Sequence, residues 1–77
     1  MIKGENINSV STKFYYKEDQ LCFQIILSYG AENEVLYKEF ENYSTYQQTH
    51  DDLVAAINKK ADLNTSFSNI NIAKALA

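Results

Sequence analysis

The 77-residue chain contains no proline, no tryptophan and no arginine, and it has only one cysteine and two glycines. A single cysteine excludes an intramolecular disulfide, which favours a cytoplasmic, reducing location. Two isolated glycines exclude a glycine-rich phosphate loop. No apolar run approaches the ~18 residues that suggest a membrane span, and no basic-plus-apolar leader is recognisable. We therefore expect neither secretion nor a membrane partner.

The missing arginine also bears on the class of partner. All seven basic residues are lysines, against ten acidic residues, and the formal net charge is −3. Arginine is the usual bidentate reader of guanine and phosphate, so its absence weighs against sequence-specific recognition of nucleic acid. The chain is instead rich in tyrosine, with six residues. Tyrosine in excess of the needs of a core is typical of contact surfaces.

The segment from Leu21 to Tyr29 organises the predicted fold, because its large apolar residues recur at every second position. One face of this strand would carry Leu21, Phe23, Ile25, Leu27 and Tyr29. The opposite face is mixed, with Cys22, Gln24, Ile26 and Ser28. A strand of this kind lies centrally in a small sheet, with one face on a core and the other partly open.

Two further segments alternate in the same way. From Val10 to Lys17, one face carries Val10, Thr12, Phe14 and Tyr16, and the polar segment 18–20 then predicts a short hairpin loop. After a turn at 30–33, the segment Glu34–Phe40 alternates again. Together the three segments predict an antiparallel β-meander.

A helix is predicted from about Thr45 to Asp62. Ser44 and Gln47 have the spacing of a capping box, and Thr49 is a second candidate start. The apolar positions have helical spacing: Leu53, Val54, Ile57 and Ala61, with Tyr46 and His50 on the same stripe if the helix starts early. The predicted fold class is therefore α+β, a single small domain of residues 1–77 with the helix packed on one face of the meander.

The two ends of the chain are expected to be the least ordered parts. Residues 1–9 are polar and indicate a loose lead-in or a short edge strand. For residues 64–77 the pattern leaves two interpretations open. Phe67–Ala77 is either a short second helix, anchored by Phe67, Ile70 and Leu76, or an irregular tail.

Residues suited to catalysis are sparse. His50, Asp51 and Asp52 are adjacent, so on a helix they point in different directions and cannot converge on one metal ion. Cys22 lies in an apolar strand, which favours a buried structural thiol over a nucleophile. We therefore predict a protein that is not an enzyme and that has no cofactor and no metal site.

Two surfaces remain as candidate binding sites. The outer face of the sheet would present Lys13, Tyr15, Lys17 and Tyr37. Acidic residues gather around the third strand: Glu32, Glu34, Glu39 and Glu41. Each surface also has an interpretation without a partner, because Tyr–Lys pairs stabilise a sheet and charged edges oppose aggregation. With a partner, the acidic surface favours a basic protein, such as one that binds nucleic acid.

The order of three strands and a capped helix, over roughly Val10 to Asp62, resembles that of small phage-encoded inhibitors, among them anti-CRISPR proteins. Size, acidity and the lack of a catalytic motif add to the resemblance, which implies an inhibitor that covers a surface of a host defence factor. The segment Lys38–Asn42 also resembles the strand-to-helix junction of integrase-arm DNA-binding domains. Two alternatives to the inhibitor therefore stand: a small nucleic-acid-binding module that uses the Lys/Tyr face, and a homo-oligomeric subunit such as a homodimer.

Overall fold

The computed structural model describes residues 1–69 and has an α+β fold, in agreement with the predicted class. Within the described residues, six strands, one α-helix and one 3-10 turn follow one another. In order they are β1 (Ile2–Lys3), a 3-10 turn (Gly4–Asn6), β2 (Ile7–Lys17), β3 (Gln20–Tyr29), β4 (Glu34–Phe40), α1 (Tyr43–Lys59), β5 (Asp62–Leu63) and β6 (Ser68–Asn69).

The β2–β3 hairpin is longer than the rest of the sheet, and its loop is tighter than predicted. Only Glu18 and Asp19 form the loop, with φ of 51° and 66°, while Gln20 already pairs with Lys17. Two consecutive positive φ values are the geometry of a type I′ turn, whose twist matches that of the flanking strands. The paired segment begins at Ile7, with a bulge at Asn8.

The predicted faces of the meander are confirmed by its register. Phe14 lies opposite Phe23 and Phe23 opposite Phe40, so these rings share the side that the helix covers. The β3–β4 turn begins at Gly30, whose φ of 76° is the positive value expected there. The core consists mainly of residues from this face and from the helix: Ile2, Ile7, Phe23, Ile25, Leu27, Leu36, Phe40, Tyr46 and Leu53.

The main sheet has four strands, not the predicted three. The strand β6 pairs antiparallel with β4, placing Ser68 opposite Tyr37 and Asn69 opposite Leu36. The Asn69 side chain also donates a hydrogen bond to the Glu34 carboxylate. A two-residue strand is too short to show a period, which is why the sequence pattern did not reveal it. The remainder of the predicted second helix or tail, with Ile70 and Leu76, lies outside the described residues.

The helix begins at Tyr43, and the capping box at Ser44 is wrong. The cap is Asn42, whose side-chain oxygen accepts hydrogen bonds from the amides of Ser44 and Thr45 at 2.8 and 3.3 Å. Within the helix Leu53 is buried, as predicted, whereas Val54 is 42% exposed. The buried residues of the helix are Tyr46, Leu53 and Ala56, and the burial of Tyr46 agrees with the early helix start.

The helix ends at Lys59, before the predicted Asp62. Lys60 takes a left-handed conformation with φ of 53°, and the amide of Ala61 donates to the carbonyl of Ala56 at 3.0 Å. This is the kind of αL termination that satisfies the last carbonyls of a helix. The chain then turns into β5.

Residues 1–9 are ordered by long-range pairing. The strand β1 pairs antiparallel with β5, Ile2 opposite Leu63, and Ile2 is buried. Beside this pair the amide of Gly4 donates to the carbonyl of Ala61 at 2.8 Å. Of the two interpretations left open for this segment, the structure therefore has the short edge strand. Through these contacts the N-terminal segment holds the C-terminal end of α1 against the core.

Candidate functional site

The outer face of the sheet, away from the helix, carries the four lysine and tyrosine residues that the sequence grouped together. The register places Lys13 beside Gln24, Tyr15 beside Cys22 and Tyr37 beside Ile26. Lys13 and Lys17 are exposed, whereas Tyr15 and Tyr37 are half-buried. The two tyrosines therefore lie partly against the sheet and do not project from it.

Tyr15 and Cys22 form the packed centre of this outer face. Cys22 is only 1% exposed, so the thiol is buried on the side opposite the helix. Burial raises the pKa of the Cys22 thiol, the carboxylates of Glu39 and Glu41 raise it further, and Lys17 partly offsets them. The predicted burial of Cys22 is thus confirmed, and its surroundings keep the thiol protonated near neutral pH.

The Glu39 carboxylate acts on Tyr15 as well. The pKa of Tyr15 rises from 10.0 to about 12, first through burial and then through hydrogen bonding and charge repulsion from Glu39. Glu39 Oε1 also lies 3.9 Å from Lys17 Nζ. The polar groups of Tyr15, Lys17 and Glu39 on this face thus interact with one another.

The four predicted acidic residues do not form one surface. Glu39 lies on the outer face, whereas Glu34 lies on the helix side and accepts the hydrogen bond from Asn69. Glu32 lies in the β3–β4 turn, at the far end of β4 from Glu41. Successive side chains of a strand point to opposite faces of the sheet, which separates Glu34 from Glu39. Of the four acidic residues, Glu39 and Glu41 are the two that raise the pKa of Cys22.

An aromatic cluster lies on the helix side of the sheet. The rings of Phe23 and Tyr46 stack with centroids 5.1 Å apart and 20° between their planes. Phe14 meets both edge-on, at 5.4 Å from Phe23 and 5.7 Å from Tyr46. Tyr43 and Phe40 complete the group, at 5.7 and 6.2 Å from Tyr46. Edge-to-face and offset contacts at these distances are favourable and stabilise the cluster.

One border of this cluster is open to solvent. The exposed fractions are 58% for Phe14, 75% for Tyr16, 39% for Leu21 and 57% for Tyr43. We call these four residues the hairpin patch. Phe14, Tyr16 and Leu21 are exposed because α1 packs over β3 and β4, while β4 ends at Phe40, opposite Phe23, and leaves the turn end of the hairpin uncovered.

The hairpin patch was missed from sequence, because Phe14, Tyr16 and Leu21 were predicted to face the helix and to be covered by it, and Tyr43 was placed before the helix. They do face that side, but the covering is wrong for Phe14, Tyr16 and Leu21. One signal could have revealed them. The alternation covers eight residues from Val10 to Lys17 and nine from Leu21 to Tyr29, whereas that in Glu34–Phe40 covers seven, so one end of the hairpin had to lack a neighbour.

The residues considered for metal binding remain apart. His50 Nδ1 lies 4.0 Å from Asp51 Oδ1, and the carboxylates of Asp51 and Asp52 accept hydrogen bonds from Gln47 and Gln48. Within residues 1–69 no three His, Cys, Asp or Glu side chains are close enough to hold a metal ion. The same part of the chain contains no helix with the length and apolar character required to cross a bilayer.

Comparison with known proteins adds no relative to this geometry. No family model, no curated protein and no solved structure matches the chain.

Proposed function

We propose that this chain is a non-enzymatic protein-binding domain whose contact surface is the hairpin patch. The observation that carries the proposal is the exposure of four large apolar or aromatic side chains on the helix side of the sheet, grouped around Phe23. Contiguous exposed apolar surface is unusual in a domain that binds nothing, and tyrosines supported by a packed base are the residues that dominate interface energies. Tyr43 is such a residue, since its ring lies 5.4 Å from that of Phe23 and 5.7 Å from that of Tyr46. Tyr16 lies opposite Leu21 in the hairpin.

The surroundings of the patch define the chemistry of the partner. Glu18 and Asp19 form the turn next to Tyr16, and Glu41 lies two residues before Tyr43 in the chain. An apolar centre with an acidic rim fits a partner that has an apolar pocket surrounded by lysine or arginine. A domain of this size would act by covering that pocket, which agrees with the resemblance to small phage-encoded inhibitors of host factors.

The test compares capture by wild-type protein with capture by two matched variants. In the patch variant, Tyr16→Ala is combined with Tyr43→Ala. In the control, Val54→Ala removes an apolar side chain that is 42% exposed on the helix. Each protein is immobilised, and proteins retained from a bacterial lysate are quantified by mass spectrometry. We expect a partner that wild type and the control retain and that the patch variant loses.

The same experiment separates the two faces of the sheet. A third variant combines Lys13→Ala with Tyr37→Ala on the outer face and leaves Tyr15 over Cys22. If this variant loses the partner and the patch variant keeps it, the contact lies on the outer face and the proposal is wrong. Melting curves of all variants check that each protein remains folded.

A further inference from the structure

The main sheet has one long unpaired edge. In the order β2-β3-β4-β6, the strand β2 forms one edge with eleven residues, whereas β6, at the other edge, has two. Within residues 1–69, β3 is the only strand that pairs with β2. An exposed edge strand presents a row of free amide and carbonyl groups, and these are a template for another strand.

The hairpin turn determines which backbone groups face the free edge. In a hairpin with a two-residue loop, the flanking pair, here Lys17 and Gln20, exchanges both of its hydrogen bonds. Orientation then alternates along β2, so Lys13 and Tyr15 direct their backbone groups to β3. Val10, Thr12 and Phe14 direct theirs outward.

We propose that the chain forms a homodimer in which β2 pairs antiparallel with β2 of a second copy, about a two-fold axis at Thr12. Thr12 is the middle residue of Ile7–Lys17, and its amide and carbonyl face outward. Around this axis Val10 lies opposite Phe14 of the second copy, and the pairing extends from Ser9 to Tyr15, where about six hydrogen bonds form. The bulge at Asn8 ends it. The two main sheets become one continuous sheet with both helices on the same side.

Side chains on the helix side favour this register. Phe14 is 58% exposed and Val10 is half-buried in the single chain. An aromatic residue directly opposite a β-branched residue is a favourable cross-strand pair, and the two-fold axis generates this pair twice. Thr12 lies opposite its own copy, and Thr–Thr pairs also stabilise sheets.

Charge on the outer side selects the same register. With the axis at Thr12, Lys13 lies opposite Ser11 of the second copy, so no two like charges face each other. An axis one residue closer to the turn would bring the two Lys13 residues opposite each other, which is repulsive. An axis one residue the other way would place Phe14 against the Asn8 bulge.

The self-complementarity of β2 is the reason to assign the edge to a second copy and not to a foreign peptide. A domain of 77 residues also has a small core, and association is one of the ways in which small domains gain stability. The inference does not rest on the proposed function. The dimer covers the edge of β2 near Phe14, whereas Leu21 and Tyr43 belong to β3 and α1 and stay uncovered.

The test uses charge at the two-fold axis. Thr12 is exposed, so Thr12→Lys and Thr12→Glu leave the fold of the single chain intact, which circular dichroism and melting curves verify. Each substitution places two like charges opposite each other in the dimer. By light scattering after gel filtration, we expect wild type at twice the chain mass of 8.8 kDa and each variant alone at 8.8 kDa. An equimolar mixture of the two variants should return to the doubled mass, because lysine then faces glutamate.

A control variant and two results keep the proposal falsifiable. Val54→Lys adds a charge at an exposed helix position and should remain dimeric. Wild-type protein that is monomeric up to millimolar concentration would overturn the proposal and leave the edge to an extended segment of another protein. A wild-type dimer that persists in both Thr12 variants would also overturn it, because the interface would then lie elsewhere.

Discussion

Gly4 occupies a position with no room for a side chain. A Cβ atom there would lie 2.2 Å from the carbonyl oxygen of Ala56 and 2.5 Å from that of Ala61. Both neighbours are backbone atoms at the end of the helix, so neither can move aside as a flexible side chain would. Gly30 is different, because its surroundings are open and its φ of 76° is the constraint.

These two glycines give a prediction at the scale of single residues. Gly4→Ala should lower the free energy of unfolding by about 2 kcal/mol or more, because the clash separates the 3-10 turn from the helix end. Gly30→Ala should cost about 1 kcal/mol, because it only strains a left-handed residue. Urea unfolding of both variants measures the difference. Equal losses would show that the contact at Gly4 relaxes readily.

The sequence predicted correctly which side of the sheet each side chain faces, but it did not predict which of these side chains are covered by neighbouring elements. Alternation gave the side of the sheet for Leu21 and Cys22 correctly. It could not show that Leu21, on the side of the helix, is 39% exposed. Which residues are covered depends on how far the neighbouring elements extend, and a strand's own period contains no information about that.

Among the elements, the helix depends on the residue that precedes it. Asn42 caps two amides, and the Thr45 hydroxyl donates back to the Asn42 carbonyl at 2.9 Å. Asn42→Ala should therefore cost about 1 kcal/mol of unfolding free energy. Ser44→Ala should be close to neutral, since Ser44 lies inside the first turn and its side chain is exposed. Chemical denaturation ranks the two variants, and a larger loss for Ser44→Ala would mean that the helix begins later in solution.

The elements that the sequence predicted well are those with enough residues to show a period. The strands β2, β3 and β4 and the helix each have seven residues or more. The strands β1, β5 and β6 have two each and form through long-range pairing. A similar limit explains why the hairpin patch was not predicted. The patch lies where β2 and β3 extend beyond the end of β4, and the period of a single strand does not show how far its neighbours extend.

For the whole molecule, net charge gives a prediction about nucleic acid. At −3, with Lys17 near Glu39, the outer face offers little uncompensated positive charge. We expect no gel shift with single- or double-stranded DNA, even at low salt. The variant Glu39→Lys with Glu41→Lys raises the net charge by four and should bind weakly, with affinity falling steeply as salt increases. Salt-dependent binding by wild type would instead favour the nucleic-acid-binding alternative.

The pairing of β1 with β5 has a consequence for synthesis on the ribosome. The β2–β3 hairpin closes through its own turn, but Ile2 meets Leu63 only after about sixty further residues have been added. Until then Ile2 has no partner strand, and before Ala61 is added the amide of Gly4 lacks the carbonyl to which it donates. A nascent chain that stalls before Leu63 therefore remains open, sensitive to proteases and accessible to chaperones, however well its first hairpin has formed.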